Sequence, residues 1–131
     1  MKLIHPDGES IILSDSLLWR DEFDWSNLAQ TEPERTLSGA YIVQQGIKQS
    51  GRPITLEPPD DSMAWHKRQI TEKLQAWAMQ PETKFTLVMA QGTFNVIFDN
   101  AHGAVSAKPV LGFGGTQQDD YFLVSIKLIT A

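Results

Sequence analysis

With 131 residues, 41% apolar and 21% charged, the chain has the size and composition of one globular domain, not of a disordered segment or a fibrous repeat. The absence of cysteine removes disulfides, thiolate metal sites and thiol nucleophiles, and a net charge of −5 has the wrong sign for tracking a nucleic-acid backbone. The opening MKLIHPDGES lacks a signal-peptide core and no run approaches the ~20 apolar residues of a membrane helix, which points to a soluble domain of a reducing compartment. The first expected element is a hairpin turning at Pro6-Asp7-Gly8, with His5 opposite Glu9, Leu3 opposite Ile11 and Ile4 opposite Ser10. Residues 14–37 are irregular: Ser14-Asp15-Ser16 marks a turn, Leu17-Leu18-Trp19 a short apolar patch, and Pro33 between two glutamates a loop.

Two strands are expected over residues 40–57. Pairing Val43 with Ile54 also pairs Tyr41 with Leu56, and Pro53 suits an edge strand or a strand start. One helix is expected at about residues 61–79, started by Asp60, Asp61 or Ser62 and stopped by Pro81. Its buried stripe would be Met63, Ile70, Leu74 and Trp77, with Trp65 and Met79 off the stripe. Lys84–Ala90 and Thr93–Phe98 form a further hairpin. With Ala90 opposite Thr93, the pairs Met89–Phe94, Leu87–Val96 and Phe85–Phe98 share one face, and a slip of one residue breaks them all. A long connection over 99–120 includes a short strand at Ala104–Val110. Tyr121–Ile129 closes the chain as a strand apolar on both faces, hence central. The fold class is therefore α+β, mainly β: an antiparallel β-sandwich or barrel with one flanking helix, in a single domain spanning residues 1–131.

Chemistry is sparse. His5, His66 and His102 have no metal-ligand spacing. Asp21, Glu22 and Asp24 beside Trp19 and Trp25 admit two readings, a carboxylate pair with a sugar platform or a solvated turn whose aromatics enter the core. Asp60-Asp61 suits a helix start, and Asp119-Asp120 the end of a loop. Gly112-Phe113-Gly114-Gly115 lacks the Lys-Ser/Thr ending of a phosphate loop and precedes a strand, and no Gly-x-Ser-x-Gly elbow is present. No catalytic, metal or cofactor residues are assigned. Trp65 and the glutamine-rich segments suit either an assembly surface or plain loops.

Ser38-Gly39-Ala40-Tyr41-Ile42-Val43, then Gly51-Arg52-Pro53-Ile54-Thr55-Leu56, the Trp65–Trp77 helix, the Phe85–Phe98 hairpin and the closing strand form an ordered set. Over about residues 35–131 it resembles small tail-tip proteins of tailed bacteriophages and prophages, especially the tube-like β domain of distal tail proteins. The resemblance implies a non-catalytic virion subunit. Copies would form a ring, commonly sixfold, joining the tail tube to hub, baseplate or fibres, after assembly in the bacterial host cytoplasm. The hairpin over 40–57 would be the ring-forming arm, working by edge pairing and loop exchange between identical subunits. The candidate assembly interface is Gln44, Gln45, Gly46, Gln49, Arg52, Trp65, Phe113, Gln117 and Gln118. The partners implied are further copies of the chain and other tail proteins, without sequence-specific nucleic acid or membrane insertion. The length leaves no room for the second, carbohydrate-binding-like domain of larger distal tail proteins, which favours an adaptor. The alternatives are a β-sandwich ligand- or carbohydrate-binding module using Trp19 and Trp25, and an enzyme using Asp21, Glu22 or His66.

Overall fold

The computed structural model describes residues 1–112, 114–115 and 117–131. In chain order the strands are β1 (Lys2–Ile4), β2 (Ser10–Ile12), β3 (Leu18–Trp19), β4 (Leu28–Gln30), β5 (Glu34–Arg35), β6 (Tyr41–Ile42), β7 (Gln45–Ile47), β8 (Pro53–Glu57) and β9 (Trp65–Lys67). Helix α1 (Arg68–Ala78) follows, then β10 (Phe85–Met89), β11 (Gly92–Phe98), a 3₁₀ turn at Asn100–His102, β12 (Val105–Pro109) and β13 (Tyr121–Thr130).

The apolar residues on both faces of β13 place it at the centre. At ~3.3 Å per residue, ten residues extend about 33 Å, long enough to pair twice along each edge. On one edge β12 lies against Phe122–Ile126 and β11 against Leu128–Thr130. Where the 3₁₀ turn bulges between them, Asp99 N–H donates to the Lys127 carbonyl (3.0 Å) and Lys127 N–H to that of Ala104 (2.7 Å), so the ladder continues. On the other edge β9 covers Tyr121–Leu123 and β8 covers Ile126–Ile129. Val124, Ile126 and Leu128 are buried on one face, and Leu123 on the other.

The main sheet runs β2-β1-β10-β11-β13-β8-β3, with every pairing antiparallel. Laid flat, seven strands at ~4.8 Å would separate the end strands by about 29 Å. The chain from Ile12 to Leu18 reaches only about 20–22 Å, so the sheet must curl. Trp19 on β3 and Phe94 on β11 meet edge to face at 5.6 Å across two intervening strands, as curling requires. The result is a barrel-like, open sheet around one core, with α1 as the single α-helix among the described residues. This is the α+β, mainly β class read from the sequence. Helix α1 packs through Thr71, Leu74, Trp77 and Ala78, with Trp77 stacked on Phe85 at 5.4 Å and Phe85 edge-on to Phe98 at 5.1 Å.

The first hairpin has the expected register: Leu3 opposes Ile11, Ile4 opposes Ser10, and His5 N–H donates to the Glu9 carbonyl at 2.7 Å. Three other expectations are corrected. The helix begins at Arg68 rather than about 61, because Trp65–Lys67 joins the β13 ladder and Ala64 takes φ +61°, a conformation that no right-handed helix continues. Asp60 instead caps its own turn, accepting from the Ser62 N–H at 2.7 Å and from its hydroxyl, which holds the Asp60 carboxyl below its ordinary value. The first helical N–H, on Arg68, donates to the Asp120 carbonyl at 2.9 Å, and Met63 is exposed rather than part of the buried stripe.

The β10–β11 register differs from expectation by two residues: Met89 opposes Gly92, Leu87 opposes Phe94 and Phe85 opposes Val96. A two-residue slip leaves every side chain on its expected face, so inward and outward patterning does not distinguish the two registers. The turn residues Ala90 and Gln91 both keep negative φ, unlike the primed turns that match strand twist. Gly92, at φ +139°, absorbs the mismatch. Lastly, Tyr41 and Val43 do not pair with Leu56 and Ile54. Strand β8 lies between β13 and β3, and residues 40–50 belong to a separate ladder.

Ile126 is fully buried and paired on both edges of β13, so Ile126→Ala should destabilise the fold by about 2–5 kcal/mol. Ile12→Ala, at a side chain 76% exposed, should stay within about 0.5 kcal/mol. Urea unfolding checks both as shifts of midpoint at constant slope.

Candidate assembly surface

Between Trp25 and Arg52 the chain leaves the body and returns. Leu28, Ala29 and Gln30 oppose Ile47, Gly46 and Gln45, and Thr31 continues the ladder by donating its N–H to the Gln44 carbonyl at 2.9 Å. Glu34 then opposes Ile42, and Arg35 opposes Tyr41. Two residues, Glu32 and Pro33, thus stand against Val43 alone: a β-bulge, placed where proline has no ladder bond to give. The tip closes with Gly39 N–H donating to the Thr36 carbonyl (2.9 Å), Gly39 itself at φ +88°. This two-stranded arm is exposed along its whole length, apart from half-buried Thr36.

The register gives the arm one apolar face. Leu28, Gln30, Gln45 and Ile47 share it, and alternation on the unbulged strand adds Val43 and Tyr41. Gln45 and Gln30 satisfy each other at 2.7 Å, and the Arg35 guanidinium lies 4.3 Å over the Tyr41 ring. A two-stranded ribbon with no core is marginal in water by itself.

Its root is strongly held. Gly51 N–H donates to the Thr130 carbonyl, Thr130 N–H to that of Arg52, and Arg52 N–H to the Thr130 hydroxyl, each at 2.9 Å. The Arg52 guanidinium donates to the Glu22 carbonyl at 2.7 Å and lies 4.5 Å from the Trp19 ring and 6.0 Å from that of Trp25, while Lys48 covers Trp25 at 5.0 Å. Asp21 accepts the Thr55 N–H and hydroxyl, both at 2.9 Å. The acidic and aromatic residues read as a candidate sugar platform therefore build the arm's root, with Trp19 inside the core.

The candidate interface residues fall into two groups. Gln44, Gln45 and Gly46 lie on the arm, Gln49 on its return, and Arg52 at its root. Trp65 lies at the opposite end of β13, beside Leu123, about 23 Å along the strand from Thr130. There its ring meets Tyr121 at 6.0 Å and its Nε1 donates to the Asp61 carbonyl at 3.0 Å. Gln118 donates to the Glu72 carboxylate at 3.2 Å, and Gln117 N–H to Asp120 at 2.7 Å. Arg68 first, and then Gln118, hold the Glu72 carboxyl below its ordinary value. Phe113 lies outside the described residues. The arm's apolar face is not legible from Tyr41 and Val43, which alternate equally well against either partner; Leu28 and Ile47, equally far from the tip at Leu37-Ser38, carry the missing signal.

The side chains considered for catalysis do not converge. Thr55, which holds Asp21, and His66 meet β13 five residues apart, about 17 Å. His66 is buried, with Nε2 accepting the Ser14 N–H at 3.0 Å; burial lowers its pKa, opposed in part by the Ala64 backbone. Among the described residues no three His, Asp or Glu side chains gather as a metal site, and no helix is long and apolar enough to cross a membrane. No family model, curated protein or solved structure matches this chain.

Two measurements test these assignments. Arg52→Ala should accelerate amide exchange across residues 26–51 while β10 and β11 amides keep their protection. In the folded state His66 resists the proton that the unfolded chain accepts near pH 6.5, so its contribution to stability is present above that value and is lost as pH drops through it. Urea unfolding at pH 7.5 and 5.5 should show that loss, and His66→Gln, with an amide oxygen to accept from Ser14, should reduce it.

Proposed function

We propose that this chain is a non-catalytic assembly subunit that joins its neighbours through β-edges and an extended arm. More specifically, it is a structural subunit of a bacteriophage or prophage tail tip or baseplate, forming a ring between the tail tube and distal components. The arm carries this reading. An exposed ribbon with an apolar face, whose two outer edges pair with no strand among the described residues, is a device for meeting another chain, and pairing removes edges that otherwise invite uncontrolled association. The accessible surface supports it too. The chain exposes 8315 Å². A compact monomer of 14.7 kDa would expose about 6,900 Å². The excess of roughly 1,400 Å² surpasses the ~800 Å² that each partner contributes to a standard interface. The tail-tip location rests on the ordered sequence elements that resemble distal tail proteins.

The ligand-binding alternative had Trp19 and Trp25 as its motive. With Trp19 buried under Arg52, no geometry at that place favours it over assembly.

Light scattering coupled to size exclusion should show concentration-dependent oligomers for the intact chain and a monomer when residues 27–50 are replaced by a short Gly-Ser linker. Electron microscopy of the native particle should place the chain in the tail. A particle whose tail lacks it would overturn the proposal.

A further inference from the structure

The two outer edges of the arm are not alike. The edge formed by β4 and β5 is interrupted by the Glu32-Pro33 bulge and carries Glu34 and Arg35, features that keep a strand edge from pairing. The edge formed by β6 and β7 has none of them. From Ala40 to Ile47 the strand holds no charge and no proline, and on its outer side no strand pairs with it among the described residues. Gln44 turns its backbone inward: its carbonyl accepts the Thr31 N–H at 2.9 Å and its N–H donates to the Thr31 hydroxyl at 3.0 Å. Inward too are the Lys48 N–H, donating to the Asn27 carbonyl at 2.7 Å, and the Ala40 carbonyl, accepting from Thr36 at 2.8 Å. Alternation therefore turns the N–H and C=O groups of Tyr41, Val43, Gln45 and Ile47 outward.

Resting on the assembly reading above, we infer that this edge pairs antiparallel with the same edge of a second copy, across a two-fold axis at Gln44. In that register Tyr41 opposes the second copy's Ile47 and Val43 opposes its Gln45, so every outward N–H and C=O of these four residues finds a partner. An axis at Val43 or Gln45 leaves Ile47 or Tyr41 opposite a residue outside the strand. An axis between two residues sets odd positions against even ones and turns the two apolar faces opposite ways. With the axis at Gln44, Leu28, Tyr41, Val43 and Ile47 of both copies join on one face. Charges also stay apart. Arg35 lies in line with Tyr41 and the second copy's Ile47 and Leu28, and Glu34 with Ile42 and the second copy's Gly46 and Ala29, so neither meets its like. A two-fold contact is isologous and closes as a pair, so a ring of these chains takes a second, different contact.

Across the axis the two Gln44 residues form a pair without hydrogen bonds between them, with Cα atoms about 4.5 Å apart, close enough for a disulfide. The absence of native cysteine makes introduced thiols unambiguous reporters. Gln44→Cys should give disulfide-linked dimers under mild oxidation, and Ile12→Cys, exposed on the body, few. Ile42→Cys and Gly46→Cys chains should cross-link when mixed and sparingly when either is alone; a Cβ at Gly46 meets nothing within 4 Å. Val43→Pro removes an outward N–H without touching the arm's own ladder. It should weaken self-association roughly tenfold or more, while far-ultraviolet circular dichroism remains that of the parent. If the intact chain self-associates but Gln44→Cys links no better than Ile12→Cys, the inference is overturned and the assembly reading stands. Ile42→Cys linking alone as readily as in the mixture overturns it too. If the parent chain remains monomeric at every concentration, both fall.

Discussion

Strand β13 is shared by four other strands, and the rest of the molecule depends on that sharing. Its ten residues hydrogen-bond β11 and β12 along one edge and β8 and β9 along the other. Each neighbour is shorter than β13 and covers only part of it. Val124, Ile126 and Leu128 deliver the interior face that the helix and β10 complete, while the backbone ladder fixes where each neighbour begins. The same strand sets the functional layout. Its Thr130 end holds the root of the arm, and its Tyr121 end holds Trp65 and the start of α1.

The body and arm have opposite energetics. In the body, burial of aliphatic and aromatic side chains against one another supplies stability, and the end strands are kept near each other by the Leu13–Leu17 connection. The arm buries almost nothing. Its order comes from its cross-strand hydrogen bonds and from a root where Arg52 stacks on Trp19 and donates to Glu22. Such a division suits the proposed subunit: a rigid body would position a ribbon whose apolar face another molecule completes. Removal of that face from water would then reward assembly more than folding.

Much of this was legible from local patterns, and the failures share one cause. The Pro6-Asp7-Gly8 hairpin, the β12 segment and the central character of the last strand each follow from turn chemistry or alternation within a few residues. Tyr41 and Val43 alternate correctly but were matched to Ile54 and Leu56, because alternation states which residues share a face and not which strand lies opposite. The Trp65–Lys67 segment carries a helical pattern that continues into α1, yet the open edge of β13 captures its backbone and Ala64 interrupts the helix. Trp19 and Asp21 read equally well as a ligand site or a turn until Arg52 and Thr55, more than thirty residues away, proved to be their partners.

By itself, the sequence determined the class of the fold, the end of its helix ahead of Pro81, and the inward-facing residues of β1, β2, β10, β11 and β13. It also determined an absence of thiol chemistry. These depend on composition and on periodicities of two and 3.6 residues, which any short segment carries. Only the tertiary structure decided that residues 26–51 form an arm, that the β10–β11 register lies two residues from its equally patterned neighbour, and that one strand serves four. Those choices rest on competition between distant backbone edges for the same hydrogen bonds. No local window contains both competitors, except at the β10–β11 hairpin, where the turn through Gly92 decides between two registers of equal patterning.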